Sequence, residues 1–323
     1  MGGAKELLKY GLFAATILLA PYLFSGSYLL NVLVFAGINT LLAVALNLLL
    51  GYAGQISLGH AAFFGLGAYA SAILTTTYDW NPWTAMAVAA LTVGALAFAI
   101  GFPVLKLKGH YLAMATLGLG IIIQIVFNEW VDMTDGPSGF SGIPNLTLGP
   151  LTFDSDRMNY YLVWIFVLGC VFFSLNLANS RIGRACRAIH DAEVAARVVG
   201  VNARLLKVQI FALSAMICAL AGSLYAHVMT FIAPSSFGFT VSVELLTMVV
   251  IGGLGSIYGS FLGALLLTLL PEFLSVMHDY EIVFYGGLLM VMTIFMPDGL
   301  VRVMPALCRR LPSLRRAKED ADA

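Results

Sequence analysis

Nine apolar runs dominate the chain, at 10–25, 28–50, 61–78, 84–105, 111–128, 159–178, 208–232, 256–274 and 281–297. A helix needs about 20 apolar residues to cross the hydrocarbon core of a bilayer. Lipid cannot satisfy backbone N–H and C=O groups, so runs of this length fold as helices rather than as open sheet. Composition agrees. Of 323 residues, 60% are hydrophobic and only 11% charged, against about 25% charged in a soluble domain. The fold class expected is all-α, a polytopic membrane protein, which excludes a cytosolic enzyme, a nucleic-acid-binding domain and a disordered scaffold. The 17 basic and 17 acidic residues cancel, so no net charge attracts nucleic acid and only the placement of charge is informative.

That placement sets the topology. Arg181, Arg184, Arg187, Arg197, Arg204 and Lys207 crowd 181–207, and Arg302, Arg309, Arg310, Arg315, Arg316 and Lys318 follow the last run. Lys5, Lys9, Lys106 and Lys108 leave Arg157 as the one basic residue elsewhere. The segment 129–158 holds Glu129, Asp132, Asp135, Asp154 and Asp156. Basic loops stay in the cytosol, so 129–158 belongs outside and both termini inside. Nine crossings would put the basic tail outside. Counting the short run Val243–Ile251 as a crossing or broken helix gives ten and returns the tail to the cytosol. Trp80, Trp83 and Trp130 then fall near the outer interface, where indoles prefer to lie. The first run follows Lys5 and Lys9 like a signal peptide but lacks a clear small-residue cleavage site, and is expected as an uncleaved span.

Enzymatic signatures are few. No Gly-x-x-x-x-Gly-Lys-Ser/Thr occurs, so the usual phosphate cradle for ATP is missing. No zinc, haem or nucleophile-elbow motif occurs either, and no catalytic or metal residue is assigned. Gly136-Pro-Ser138-Gly139 and Gly139-Phe-Ser141-Gly142 fit the Gly-x-Ser-Gly of rhomboid-type proteases, yet turn chemistry explains Gly, Pro and Ser in an external loop. Cys170, Cys186, Cys218 and Cys308 lack paired spacing and read as small apolar filler. Glu244 and Glu272 flank the short run and its successor, near the expected ends, and read as interfacial carboxylates. His110 reads as an interface residue and His227 as a packing histidine.

Between the second and third runs, Gly54, Gln55, Ser57, Gly59 and His60 interrupt the apolar pattern. Irregular backbone at membrane depth must face protein or a watery cavity, so one reading is a break lining the translocation path. The other is a cytosolic turn whose glycines permit close packing. A faint echo recurs after Val243–Ile251, where Gly252, Gly253 and Gly255 precede Ile257 as Gly51 and Gly54 precede Ile56.

The segment 180–207 is the most informative polar stretch. As a helix from Arg184 it presents a small apolar face of Ala185, Ala188, Ile189, Ala192, Ala195, Ala196 and Val199. Arg184, Arg187, Asp191, Glu193 and Arg197 lie opposite. Arg187/Asp191 and Glu193/Arg197 stand at i,i+4, and Gly200 suits the C-terminal cap. Such a face can enter a groove on a partner; a solvated connector is the alternative.

These residues resemble a known family. Gly54–Tyr69 (GQISLGHAAFFGLGAY), Leu107–Leu117 (LKGHYLAMATL), Gly136–Pro144 (GPSGFSGIP), Gly183–Gly200 (GRACRAIHDAEVAARVVG) and Val250–Gly259 (VIGGLGSIYG) are similar to the longer, M-type permease subunit of branched-chain amino-acid ABC importers. The resemblance covers about residues 30–300. Two positions depart: His190-Asp191-Ala192-Glu193 replaces Arg-Asp-Asp-Glu, which bears on partner pairing. Thr134-Asp135-Gly136 replaces Thr-Gly-Gly, which bears on the substrate.

The resemblance implies a permease in the bacterial inner membrane, paired with a second permease subunit in a heterodimer. Two ABC ATPases would bind ATP-Mg, none being bound by this chain, and a periplasmic binding protein would deliver substrate. It implies one transmembrane domain over 1–300, with an external loop 129–158, a cytosolic coupling loop 179–207 and a basic tail 301–323. Arg184, Arg187, Ala188, Ile189, Asp191, Glu193, Ala196 and Gly200 would couple to the ATPase. Gly54, Gln55, Ser57, Gly59, His60, Gly252, Gly253 and Gly255 are candidates for the translocation path. Asp135, Gly136, Ser138 and Ser141 would meet the binding protein. Rivals are a sibling importer of urea, short amides or aromatic acids, an ion-coupled secondary transporter, and the protease.

Overall fold

A computed structural model describes residues 26–148 and 151–273, with isolated positions among 10–21 and at 287 and 290. Helix α1 (Ser27–Asn47) continues as a π-helical turn over Leu48–Tyr52. Then come α2 (His60–Thr76), α3 (Pro82–Val104), α4 (His110–Glu129), the short α5 (Val131–Thr134) and α6 (Asp156–Asn179). Helices α7 (Arg181–Val198), α8 (Ala203–Met229), α9 (Phe239–Gly252) and α10 (Ile257–Phe273) complete the described chain. Two small antiparallel ladders interrupt the helical pattern. Strand β1 (Phe140–Ser141) sets Phe140 opposite Ile232 of β4 (Phe231–Ile232), and β2 (Thr147–Leu148) pairs with β3 (Leu151–Thr152).

Among the described residues, five helices are long and apolar enough to cross a membrane: Ser27–Tyr52, α3, α4, α6 and α8, of 26, 23, 20, 24 and 27 residues. The count of ten standard crossings is not supported. Glycine-rich turns cut the chain between α1 and α2 and between α9 and α10, leaving α2 with 17 residues, α9 with 14 and α10 with 17. At about 1.5 Å per residue, these helices span less than the roughly 30 Å of hydrocarbon. The expected spans 10–25 and 281–297, the tail 301–323 and Cys308 lie largely or wholly outside the described residues.

Helix α8 is the axis of the bundle, packed by α1, α2 and α3. In lipid, apolar side chains gain nothing by leaving their solvent, so helices associate through close backbone approach and buried hydrogen bonds. A Cβ at Gly67 would collide with the Ala219 backbone, and one at Gly222 with the Phe64 carbonyl. Between them Ser223 Oγ donates to Gly67 O at 3.1 Å. His227 is buried with Nε2 at 2.9 Å from Ser71 Oγ and Nδ1 at 2.8 Å from Pro144 O, a packing histidine with both nitrogens engaged. Helix α1 is held to α10 by Asn39 Nδ2, which donates to Thr268 Oγ1 at 2.9 Å.

The bundle has two chemically distinct ends. At one, Trp83 Nε1 donates to Thr147 O at 2.8 Å and β1 pairs with β4, which gathers the acidic 129–158 loop over the 77–82 and 230–238 connections. Trp80 and Trp130 are exposed there. At the other end, Arg204 reaches Phe102 O at 3.5 Å and Lys108 approaches Glu193 at 4.0 Å. His190 Nδ1 lies 3.0 Å from Gly51 O. The split of charge along the sequence is thus a split in space.

Candidate functional site

The two glycine breaks meet at the basic end. Helix α1 closes at Gly54, whose φ of +66° disfavours any side chain. Its N–H donates to Leu50 O and that of Gln55 to Leu49 O, each at 3.1 Å, nested bonds that close the wide π-helical turn at a left-handed glycine. The chain then runs without regular structure to Gly59, and it does so buried. Gln55 Nε2 donates to Ala53 O at 3.0 Å. His60, at the start of α2, has Nδ1 at 3.1 Å from Ser57 Oγ and Nε2 at 3.3 Å from Ser214 Oγ of α8. Thr116 Oγ1 of α4 accepts from Leu58 N–H at 3.0 Å, and Ser242 Oγ of α9 accepts from Ala61 N–H at 3.4 Å. Three other helices therefore supply the hydroxyls that an apolar solvent cannot. The segment is a turn near the basic end whose polar side chains are buried in protein.

The second break, Gly253–Ser256, is gripped by Asn47. This side chain is fully buried. Its Nδ2 donates to Ser256 O at 2.9 Å and Ser260 Oγ at 2.7 Å, while its Oδ1 accepts from Gly255 N–H at 2.9 Å. Gly51 lies flat against Gly255, and a Cβ at Gly51 would strike both the Asn47 amide and the Gly255 backbone. Gly252 similarly abuts Gly259, which keeps α9 and α10 backbone to backbone. The faint sequence echo corresponds to two breaks in direct contact. The contact runs through Gly51 and Asn47, whereas Gly54 rests against His190, Gly59 against Thr116, and His60 beside Ser214.

Helix α7 lies outside the spanning bundle at the same end. It begins at Arg181 rather than Arg184, because Ser180 caps it by accepting from Ile182 and Gly183 N–H at 3.1 and 3.3 Å. It is not one straight helix, since Ala192 has φ −156° and ψ 90°. The expected apolar face is only partly buried. Ala188, Ala195 and Val199 remain exposed, whereas Ile189 and Ala196 turn inward to pack with Ala203. Val194 and Val198 are 75% and 82% exposed. Arg184 and Arg187 donate to the carbonyls of Asn179 and Ala178, each at 3.0 Å. Arg187 also lies over the Tyr52 ring at 5.9 Å, so it turns toward the bundle rather than toward Asp191. Asp191 is exposed, and Gly200 N–H donates to Arg197 O at 3.0 Å beyond the helix end.

Glu193, just past the kink, gathers three cations. It pairs with Arg197 at i,i+4, with Lys207 Nζ of α8 at 2.9 Å and with Lys108 Nζ at 4.0 Å. Burial raises its carboxyl, but the hydrogen bond and charge of Lys207 and the charges of Arg197 and Lys108 outweigh that and leave it below the ordinary carboxylate range. Glu193, His190, Lys108 and Lys207 line a cleft of about 230 Å³ with Gly54 and Gln55. At the opposite end Asp135, Ser138 and Ser141 are exposed and Gly136 is buried. Asn47, Thr116, Ser214 and Ser242 are not singled out by the sequence, and Lys207 enters it only as one of the basic residues of 181–207. Asn47 carries a usable signal, being an amide inside the apolar run 28–50, where polar groups are costly and need partners.

The family model described as branched-chain amino acid transport system / permease component matches residues 28–294. The high-affinity branched-chain amino acid transport system permease protein LivM of Escherichia coli (strain K12) is 36% identical over 259 residues, covering 73% of this chain and 61% of LivM. BraD of Pseudomonas aeruginosa, with the same description, is 32% identical over 198 residues, covering 58% of this chain and 62% of BraD. LivH of Escherichia coli (strain K12) is 28% identical over 234 residues, covering 66% of this chain and 74% of LivH. No solved structure matches the chain. A family model that spans most of the described bundle and both glycine breaks leaves one assignment: the chain belongs to the family of branched-chain amino acid transport permease components.

Proposed function

We propose that this chain is the permease subunit of an ATP-driven importer that carries Leu, Ile or Val into the cytosol by alternating access. A binding protein would deliver the amino acid to the 129–158 loop in the periplasm. A second permease subunit would complete the path, and two ATPase subunits would bind ATP-Mg and hydrolyse it. The bundle sits in the bacterial inner membrane with the basic end in the cytosol, and the crossings number ten once 10–25 and 281–297 are included.

Helix α7 carries this reading. It is a polar helix at the basic end, yet Val194, Val198 and Val199 project from it with at least 75% exposure. Exposed apolar groups on a short helix suit a groove on a partner protein. Helix α4 leaves room for the second permease subunit: only 17% of its most apolar stretch is buried, and Tyr111, Met114 and Ile122 project outward, where lipid or a partner helix would cover them.

The test is uptake of labelled leucine into proteoliposomes holding this chain with the second permease subunit, the ATPases and the binding protein. Uptake should require ATP and both ATPases. Persistence without them would overturn the reading, and uptake of urea or a short amide in preference to leucine would overturn the substrate. Ala188→Trp, placed on the exposed side of α7, should insert normally and reduce uptake at least about tenfold.

A further inference from the structure

Glu193 belongs to the segment expected to touch the ATPase, yet its carboxylate turns away from the exposed side of α7. Lys207, its closest partner in the bundle, is only 5% exposed although it carries an ammonium group. An ammonium so deeply placed needs a fixed counter-charge, and Glu193 provides it at 2.9 Å. Lys108, at the start of the α3–α4 connection's exit into α4, adds a third element to the same carboxylate. One turn earlier, His190 grips Gly51 O while its ring edge rests on Gly54. The kink at Ala192 falls between these two anchors, so that Glu193 begins the half of α7 that carries the exposed valines. The half of α7 offered to a partner is thereby tied through Glu193 to Lys207 at the start of α8, in the same cleft where His190 meets the first glycine break.

We propose that Glu193 is a positioning residue of transport, an internal strut that holds α7 to Lys207 and Lys108 and transmits partner movement to the glycine break, without itself contacting the ATPase. This rests on the reading of the chain as an ATP-driven permease. Rigid displacement of α7 would pull Lys207, and with it the start of α8, in step with the 51–54 turn. Coupling of this kind needs a packed, charged connection with two arrangements rather than a new ligand.

The experiment measures ATP hydrolysis and leucine uptake side by side in proteoliposomes of the whole complex. Glu193→Gln should co-purify with the ATPases at the wild-type ratio and retain hydrolysis stimulated by the binding protein within about twofold, while uptake falls about tenfold. Glu193→Gln combined with Lys207→Met removes the pair without stranding a buried ammonium. It should reach the membrane at the wild-type level and show the same split. Wild-type uptake by the double variant would overturn the proposal. So would loss of ATPase association in Glu193→Gln, which would make Glu193 a direct contact. Absence of the double variant from the membrane would equally overturn it, by assigning the pair to folding. Lack of ATP-dependent uptake by the wild-type complex would instead overturn the functional reading beneath it.

Discussion

Asn47 shows how much one side chain can determine inside a membrane. Its amide satisfies Gly255 N–H, Ser256 O and Ser260 Oγ from a position with no exposure. Asn47→Ala removes the amide and strands Gly255 N–H, at about 1–3 kcal/mol for a buried polar group left unmade, with a cavity added, while Ser256 O keeps its bonds from Ser260 N–H and Oγ. Unfolding of the purified protein in a denaturing detergent should show a loss of about 3 kcal/mol. Retention of wild-type stability would mean that water or a rotated serine replaces the amide. Glu193 makes a pH-dependent prediction. Its carboxyl lies below its ordinary 4.5 in the folded chain, so its contribution is fully present above that unfolded value. It is lost as pH falls through the depressed folded value. Amide exchange across 181–199, corrected for intrinsic rates, should stay level from neutral pH to about 5 and rise only below about 4.5. Cys186 offers a reporter in the same helix. Burial pushes its thiol up to about 11 despite the opposing Arg187 charge. In a Cys308→Ser background, maleimide labelling at neutral pH should be slow and should accelerate when Glu193→Gln loosens α7.

At the scale of the element, helix length was legible because hydrophobic runs and helix boundaries share a physical cause. The expected runs 84–105 and 111–128 became α3 and α4 within two residues at each end. What the runs did not disclose was where helices approach. Gly67 and Gly222 look like other glycines in an apolar sequence, yet they set the α2–α8 contact. Gly222→Val should force these backbones apart and cost about 3 kcal/mol, read as reduced folded yield and a lowered detergent-unfolding midpoint. The kink in α7 was equally illegible. Nothing local about Ala192 forbids helix, and its extended backbone follows from anchoring Ile189 and Ala196 against Ala203 while Glu193 reaches Lys207. Ala196→Trp therefore disrupts the packing of α7 on its own bundle, whereas Ala188→Trp probes docking.

The whole molecule carries its polarity in its ends. Asp154 lies in the acidic loop and Lys108 at the opposite end, 4.0 Å from Glu193. With the native cysteines replaced by serine, a single cysteine at Asp154 should react with an impermeant maleimide in intact spheroplasts. One at Lys108 should react only after lysis. The reverse pattern would invert the orientation proposed for the importer.

Amphipathic content, approximate helix ends, the opposition of charged loops and the family resemblance all follow from the order of residues. They depend on local composition and on the solvent that each run demands. The tertiary structure alone decided that the glycine breaks at 51–54 and 252–255 touch, that Asn47 joins them, and that Glu193 faces inward to Lys207. Those outcomes depend on which backbone groups are left unpaired once helices pack, and on which distant side chain arrives to satisfy them. In a medium without water, no spacing along the chain specifies that partner.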